Sequence, residues 1–242
     1  MNISLPVISA LALSLMLGAC SNPSPDSLAQ NDPWEKTNRE VFDFDIRLDH
    51  AVARPVAEGY RDAVPEAVRD GIHNAITNLN SPVTLANDVL QGDGDKAANT
   101  FGRIIINSTV GVGGLVDIAS KIGIPGHEND FGITLGKNDI AEGSYLVLPF
   151  AGPLPPRDLL GTGVDIAFDP LTYARFHGSD TWMVVRFGIG VLDTVSSQQD
   201  AVDSIERSSI DFYATTRNLY RQSRNAKIND GKAGATDNLP NL

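Results

Sequence analysis

Cys20 is the one thiol in 242 residues, and its company decides what chemistry it can do. A lone cysteine excludes an internal disulfide. A cysteine nucleophile needs a base beside it, but His50, His73, His127 and His177 are scattered and lack metal-ligand spacing. No His-Glu-x-x-His, no Gly-x-Ser-x-Gly elbow and no Walker loop occurs. Gly111-Val112-Gly113-Gly114 lacks the glycine spacing and preceding strand of a dinucleotide loop. Asp93-Gly94-Asp95 fails as a calcium loop, with Ala98 where a glycine is required. Acid pairs such as Asp43 and Asp45 suit solvated or capping roles. The sequence predicts no catalytic residue, no metal site, no cofactor and no enzymatic activity.

What remains for Cys20 is acylation. An apolar run over residues 5–19 ends in Leu17-Gly18-Ala19, and a polar Ser-Asn-Pro-Ser-Pro-Asp-Ser tether follows the cysteine. The run is too short to cross a bilayer as a helix. Small residues directly before such a cysteine resemble a bacterial lipobox. That resemblance implies cleavage between Ala19 and Cys20, a diacylglycerol thioether on Cys20 and an acylated new amino terminus. A single myristoyl-length chain binds membranes with only about 10⁴ M⁻¹, whereas two signals hold firmly. Ser21, rather than Asp, resembles the sorting signal for the outer membrane, facing the periplasm. The n-region, Met1-Asn2-Ile3-Ser4, carries no basic side chain.

The net charge of −11 lies wholly after residue 19. Such a surface is repelled by phosphate backbones and anionic lipids, which argues against a nucleic-acid partner and for apolar, lipid-anchored membrane contact. A hydrophobic content of 42% suffices for a core.

The elements that position everything else read as helices. Asp32-Pro33-Trp34-Glu35 predicts an N-cap, a first-turn proline and a capping carboxylate, opening a helix that buries Val41, Phe44, Leu48, Ala51 and Val52. Pro65 opens a second helix with Val68, Ile72, Ala75, Ile76 and Leu79 on one face, and Ser81-Pro82 a short third. After Gly92-Asp93-Gly94-Asp95 a fourth carries Ala97, Phe101, Ile104, Ile105 and Ser108. Residues 104–116 hold no charge and are rich in glycine, with Gly111, Gly113 and Gly114 among apolar residues. They read either as a buried helix and turn or as apolar surface against acyl chains. From Pro125 to Pro156 the helical pattern fails, and residues 131–136 and 145–150 read as short extended segments of a long hairpin-like excursion. Helices resume with Leu159, Leu160, Val164 and Ala167. The next, capped by Asp180, carries Met183, Val184, Phe187, Val191 and Val195, and the last runs from Val202 through Ile205, Ser209, Phe212 and Thr216 to Leu219. Residues 223–242 read as a disordered tail.

Asp32-Pro33-Trp34-Glu35, Asn38-Arg39, Phe42, Arg54-Pro55-Val56, Tyr60-Arg61-Asp62 and Val64-Pro65 resemble the opening of the MlaA (VacJ) lipoproteins. The resemblance continues in order through Asn87, Leu90-Gln91-Gly92-Asp93, residues 107–114, residues 131–136, Leu148-Pro149-Phe150-Ala151-Gly152-Pro153 and Arg157-Asp158. It implies a mainly α fold: a single ring-like bundle of amphipathic helices with one long hairpin-like loop, embedded in the inner leaflet of the outer membrane. Its domains would be a signal peptide (1–19), a lipidated tether (20–31), the helical domain (32–222) and the tail (223–242). The implied function is removal of mislocalised phospholipid from the outer leaflet through a polar channel and its delivery to a soluble periplasmic carrier, with a trimeric porin as partner. Asn107, Ser108, Thr109, Gly111, Gly113 and Gly114 are the implied channel or membrane region. Gly136, Gly143, Leu148, Pro149 and Phe150 are the implied loop bordering the channel and gating it. Related chains often place several glycines before the Leu-Pro-Phe block, where this one has Asp139-Ile140-Ala141-Glu142 between Gly136 and Gly143. The competing reading is a non-catalytic envelope scaffold that binds porins; a lipid-modifying hydrolase would need a nucleophile beside a base.

Overall fold

The computed structural model describes residues 23–175 and 178–230. Ala19, Cys20, the leader and His177 lie outside the described residues, and so do residues 231–242. The chain is mainly α. A short helix α1 (Pro25–Ala29) leads to α2 (Glu35–Leu48), which passes through a π-turn at Asp49–Ala53 into α3 (Arg54–Ala63). Helices α4 (Glu66–Leu90), α5 (Gly94–Thr109), α6 (Ile118–Lys121) and α7 (Phe131–Lys137) follow. A two-stranded hairpin pairs β1 (Val147–Leu148) antiparallel to β2 (Gly152–Pro153). Helices α8 (Pro156–Phe168), α9 (Ser179–Ser208) and α10 (Phe212–Asn229) complete the fold. Helix contacts run in a closed circuit, from α4 to α8, α7, α10, α9 and back to α4. Among the described residues, no helix is long and apolar enough to cross a membrane.

Aspartates start the shorter elements. Asp93, Asp117, Asp130 and Asp211 each accept a backbone N–H three residues on, at the starts of α5, α6, α7 and α10. Such a cap contributes about 1 kcal/mol. Asp130, together with packing against α8 and α10, explains why residues 131–136 form a helix where extended chain was expected. Four donors of a first turn need acceptors, and Asp130 supplies one to Ile133 at 2.8 Å. Asp211 likewise splits the expected last helix in two, with the break at Ser209–Asp211. Helix α10 then continues to Asn229, seven residues into the segment expected to be a disordered tail. Pro82 does not open a helix of its own. Helix α4 runs through it, flanked by α5 and α9. Tertiary packing there overrides the local cost of an internal proline.

The helical periods are legible in the sequence, but many of the apolar positions expected in a core are exposed. Phe44, Val52, Val68, Phe101, Ile105, Leu159, Leu160 and Val184 are exposed, and so are Met183, Phe187 and Val191. The buried side chains of α4 are Asn87 and Asp88, those of α5 are Thr100 and Asn107, and α8 buries Arg157 and Asp158. Among the described residues, more polar than apolar side chains are buried. In water-soluble proteins buried polar side chains are the exception. A small apolar core gathers Phe42, Tyr145, Val147 and Tyr213.

Asp32 belongs to this polar interior and is not an N-cap. It is fully buried, accepts from Asn38 Nδ2 at 2.8 Å and Arg217 Nη1 at 2.7 Å, and also receives the Tyr213 hydroxyl. Helix α2 instead starts after Trp34 with no side-chain cap. A second network joins α7, α8 and α10: Arg224 donates to Asp130 and Asp158, and Arg157 and Tyr220 also donate to Asp158. Burial would raise the Asp158 carboxyl, but these donors hold it below the usual range. Removing one partner of such a buried pair costs about 3–5 kcal/mol.

Candidate functional site

Helix α4 lines a polar cavity of about 560 Å³ with His73, Thr77, Asn80, Ser81 and Thr84, which share one helical face. Thr100, Arg103 and Asn107 of α5 face it, and residues 117–129 supply Asp117, Ser120, His127 and Asn129. Asp88 supports the far wall. It accepts from His127 at 2.7 Å, Asn129 at 2.7 Å and Thr100 at 2.7 Å. Its burial pushes the carboxyl up, and those three donors more than reverse the effect. The wall is thus fixed by charge-assisted bonds. Among the described residues no group of three metal-ligating side chains forms.

The glycine-bearing turn at 110–117 adjoins this cavity, which Asp117 lines. Asn107 is buried, donates to Asp117 Oδ1 at 3.0 Å and accepts from the Ala119 N–H at 2.9 Å. Burial would raise Asp117, but Ser120, Arg103 and Asn107 hold it far below the usual carboxylate range. A Cβ on Gly111 would lie 2.2 Å from the Val116 carbonyl oxygen. Gly114, at φ +93°, packs against Asn78, whose amide donates to Ser108 Oγ at 2.9 Å. Val110, Val112 and Leu115 meanwhile face outward. Of the six residues expected here, Asn107 lines the cavity; Gly111 and Gly114 shape the turn; Ser108 ties it to α4. Gly113 takes a positive φ of 70°, and Thr109 is exposed and donates to the Ile105 carbonyl.

The other five residues, expected on one loop, are divided: Gly136 falls in α7, Gly143 in the segment after it, and only Leu148, Pro149 and Phe150 in the hairpin. Gly136 lies within α7, where a Cβ would meet Ile228 at 2.5 Å, and Gly143 takes φ +79° against Pro156. Leu148 and Pro149 are half-buried. Phe150 stands out at the tip, 75% exposed with φ +66°, edge-on to Phe44. Its N–H donates to Asp45 at 3.0 Å, yet burial still pushes the Asp45 carboxyl up. Phe150 also lines a second cavity of about 640 Å³ with Ile76, Met183, Phe187 and Val191. Asn80 lines both cavities. Sequence reading missed the polar face of α4, although His73, Thr77, Asn80, Ser81 and Thr84 recur at helical spacing.

A family model described as MlaA lipoprotein matches residues 30–227. The chain belongs to the MlaA family. A relative from Escherichia coli strain K12, named "Intermembrane phospholipid transport system lipoprotein MlaA", is 32% identical over 240 residues, covering 96% of this chain and 92% of the relative. A relative of the same name from Haemophilus influenzae is 31% identical and covers 93% and 91%. A Rickettsia felis protein described as uncharacterized is 34% identical, covering 81% and 78%. A solved structure reported as "Structural basis for maintenance of bacterial outer membrane lipid asymmetry" superposes with a TM-score of 0.73 at 34% identity, over 82% of this chain and 99% of that one. The mainly α architecture is therefore that of an MlaA lipoprotein.

Proposed function

We propose that this protein is an outer-membrane lipoprotein, anchored through acylated Cys20 after cleavage behind Ala19, that carries phospholipid out of the outer leaflet to a soluble periplasmic carrier. It sits in the inner leaflet and faces the periplasm. The observation that carries this reading is a cavity lined by polar side chains and buried ion pairs in the interior, with many large apolar side chains exposed. Phospholipid crosses a bilayer slowly because its head group loses water, at several kcal/mol per unsatisfied polar group. A cavity walled by Asn, Ser, Thr and His side chains replaces those lost bonds, while apolar side chains outside keep company with acyl tails. The names of the Escherichia coli and Haemophilus influenzae relatives support the same transport role. The turn at 110–117 lies against lipid through Val110, Val112 and Leu115, and the hairpin tip around Phe150 gates access to the channel. A trimeric porin holds the protein in place.

Mass-tagged phospholipid followed between the two membranes, with and without the protein, tests the reading. Loss of outer-leaflet clearance without the protein is expected. Unchanged transfer, with a porin still co-purifying, would favour the scaffold reading instead.

A further inference from the structure

We propose that Arg186 reads the phosphodiester of a bound phospholipid at the junction of the two cavities, with an acyl chain laid along α9. The inference rests on the transport reading above and assigns a residue to it. Met183, Phe187, Val191 and Thr194 form one stripe of α9 along the apolar cavity, and Ile76 of α4 faces them. Among the described residues, Arg186 is the only charged side chain in that cavity's wall. It sits where the wall meets Asn80, the residue common to both cavities.

Arg186 has donors to spare. Its Nη1 donates to Asp169 Oδ2 and its Nη2 to Asn80 Oδ1 at 2.7 Å. Asp169 spends its other oxygen on the Leu171 N–H at 3.0 Å. A guanidinium carries five N–H donors in a planar fork that matches a pair of phosphate oxygens. Asn80 offers a neutral oxygen, and bonds to an ionised oxygen are roughly twice as strong. A phosphodiester arriving from the polar cavity therefore displaces Asn80 and leaves the Asp169 contact in place. Release of Asn80 opens the partition between the cavities. The head group then stays among the polar residues of α4, and the acyl chain enters beside Phe187. A cavity of about 640 Å³ is within the range of pockets that enclose small ligands and admits one chain segment rather than a whole lipid.

The test uses the full lipidated protein in detergent micelles and compares uptake of phosphatidylglycerol with uptake of diacylglycerol by native mass spectrometry. Wild-type protein is expected to prefer the phospholipid. Arg186→Gln is expected to lose that preference by about tenfold or more, and Arg186→Lys to keep part of it, because the charge survives without the fork. An Arg186→Gln protein with undiminished preference overturns the proposal. Should that variant fail to fold, wild-type protein decides the matter. Phosphatidylglycerol with a diazirine in mid-chain, in phosphatidylethanolamine vesicles, is expected to cross-link to Met183, Phe187 or Val191, and labelling confined to other helices overturns the proposal. Wild-type protein that takes up no phospholipid at all overturns the transport reading itself.

Discussion

The turn at 110–117 and the hairpin at 147–153 look alike in sequence, since both combine glycine with apolar residues and Leu115 or Phe150 at an exposed position. Each is fastened by a buried asparagine. Asn107 holds the turn through Asp117 and Ala119, ten and twelve residues away in the chain. Asn38 holds the hairpin by donating to the Tyr145 carbonyl at 3.0 Å and accepting from the Val147 N–H at 3.0 Å, across more than a hundred residues. The turn is fastened mainly within its own segment, with Asn78 of α4 as its tie to the rest of the fold. The hairpin stem is held from a distance, and only its tip is free of the core. Glycine-rich apolar segments of similar composition thus differ in how much of the molecule each depends on.

The sharpest way to break this contrast is Asn38→Ala. It strands a buried carbonyl and a buried N–H, and each unsatisfied group costs about 1–3 kcal/mol, so global stability in detergent should fall by roughly 2–6 kcal/mol. A denaturant titration checks it. Gly111→Ala should cost about 1–3 kcal/mol, as expected of overpacking, because the added methyl meets backbone oxygens that cannot move aside. Hydrogen exchange should then rise at residues 107–119 and stay unchanged at 147–153.

Acidification sharpens the same contrast. The folded Asp117 carboxyl lies below its unfolded value, so its stabilising contribution is complete above about pH 4 and is lost as the pH falls through the folded value. The folded Asp45 carboxyl is raised, so the folded state takes up that proton more readily than the unfolded chain does. Below about pH 4 the turn should therefore lose protection before the hairpin tip does, and hydrogen exchange against pH reads this directly. The smallest effect on stability belongs to Phe150→Ala, within about 0.5 kcal/mol, as for other exposed positions. Lipid transfer by that variant should nonetheless drop, which a vesicle transfer assay measures.

Periodicity made most helices legible, because the 3.6-residue repeat survives whichever face is buried. It could not say which face that was. Val68 and Ile105 read as core residues from periodicity alone, yet both are exposed. The polar stripe of His73, Thr77, Asn80, Ser81 and Thr84 was equally periodic and marked the cavity. Asp32 misled for a different reason: its place before Pro33 and Glu35 satisfies the local capping pattern, while its real partners, Tyr213 and Arg217, lie at the other end of the chain. Asp130 shows the converse, a short-range cap that acts with packing against α8 and α10 to make a glycine-bearing stretch helical. The family resemblance located the turn and the hairpin, but which of their residues line a cavity depends on how α4, α5 and α9 meet.

The Asp32–Arg217 pair also sets an order of assembly. The two residues are 185 positions apart, so the buried amino-terminal carboxylate lacks its guanidinium partner until the last helix is in place. Tyr213, another donor to Asp32, arrives on that same helix, and the closed circuit of helices waits for it. The protein's fold is therefore completed from its carboxyl end, and a chain cut short before α10 would emerge with a buried-charge network that has only one side.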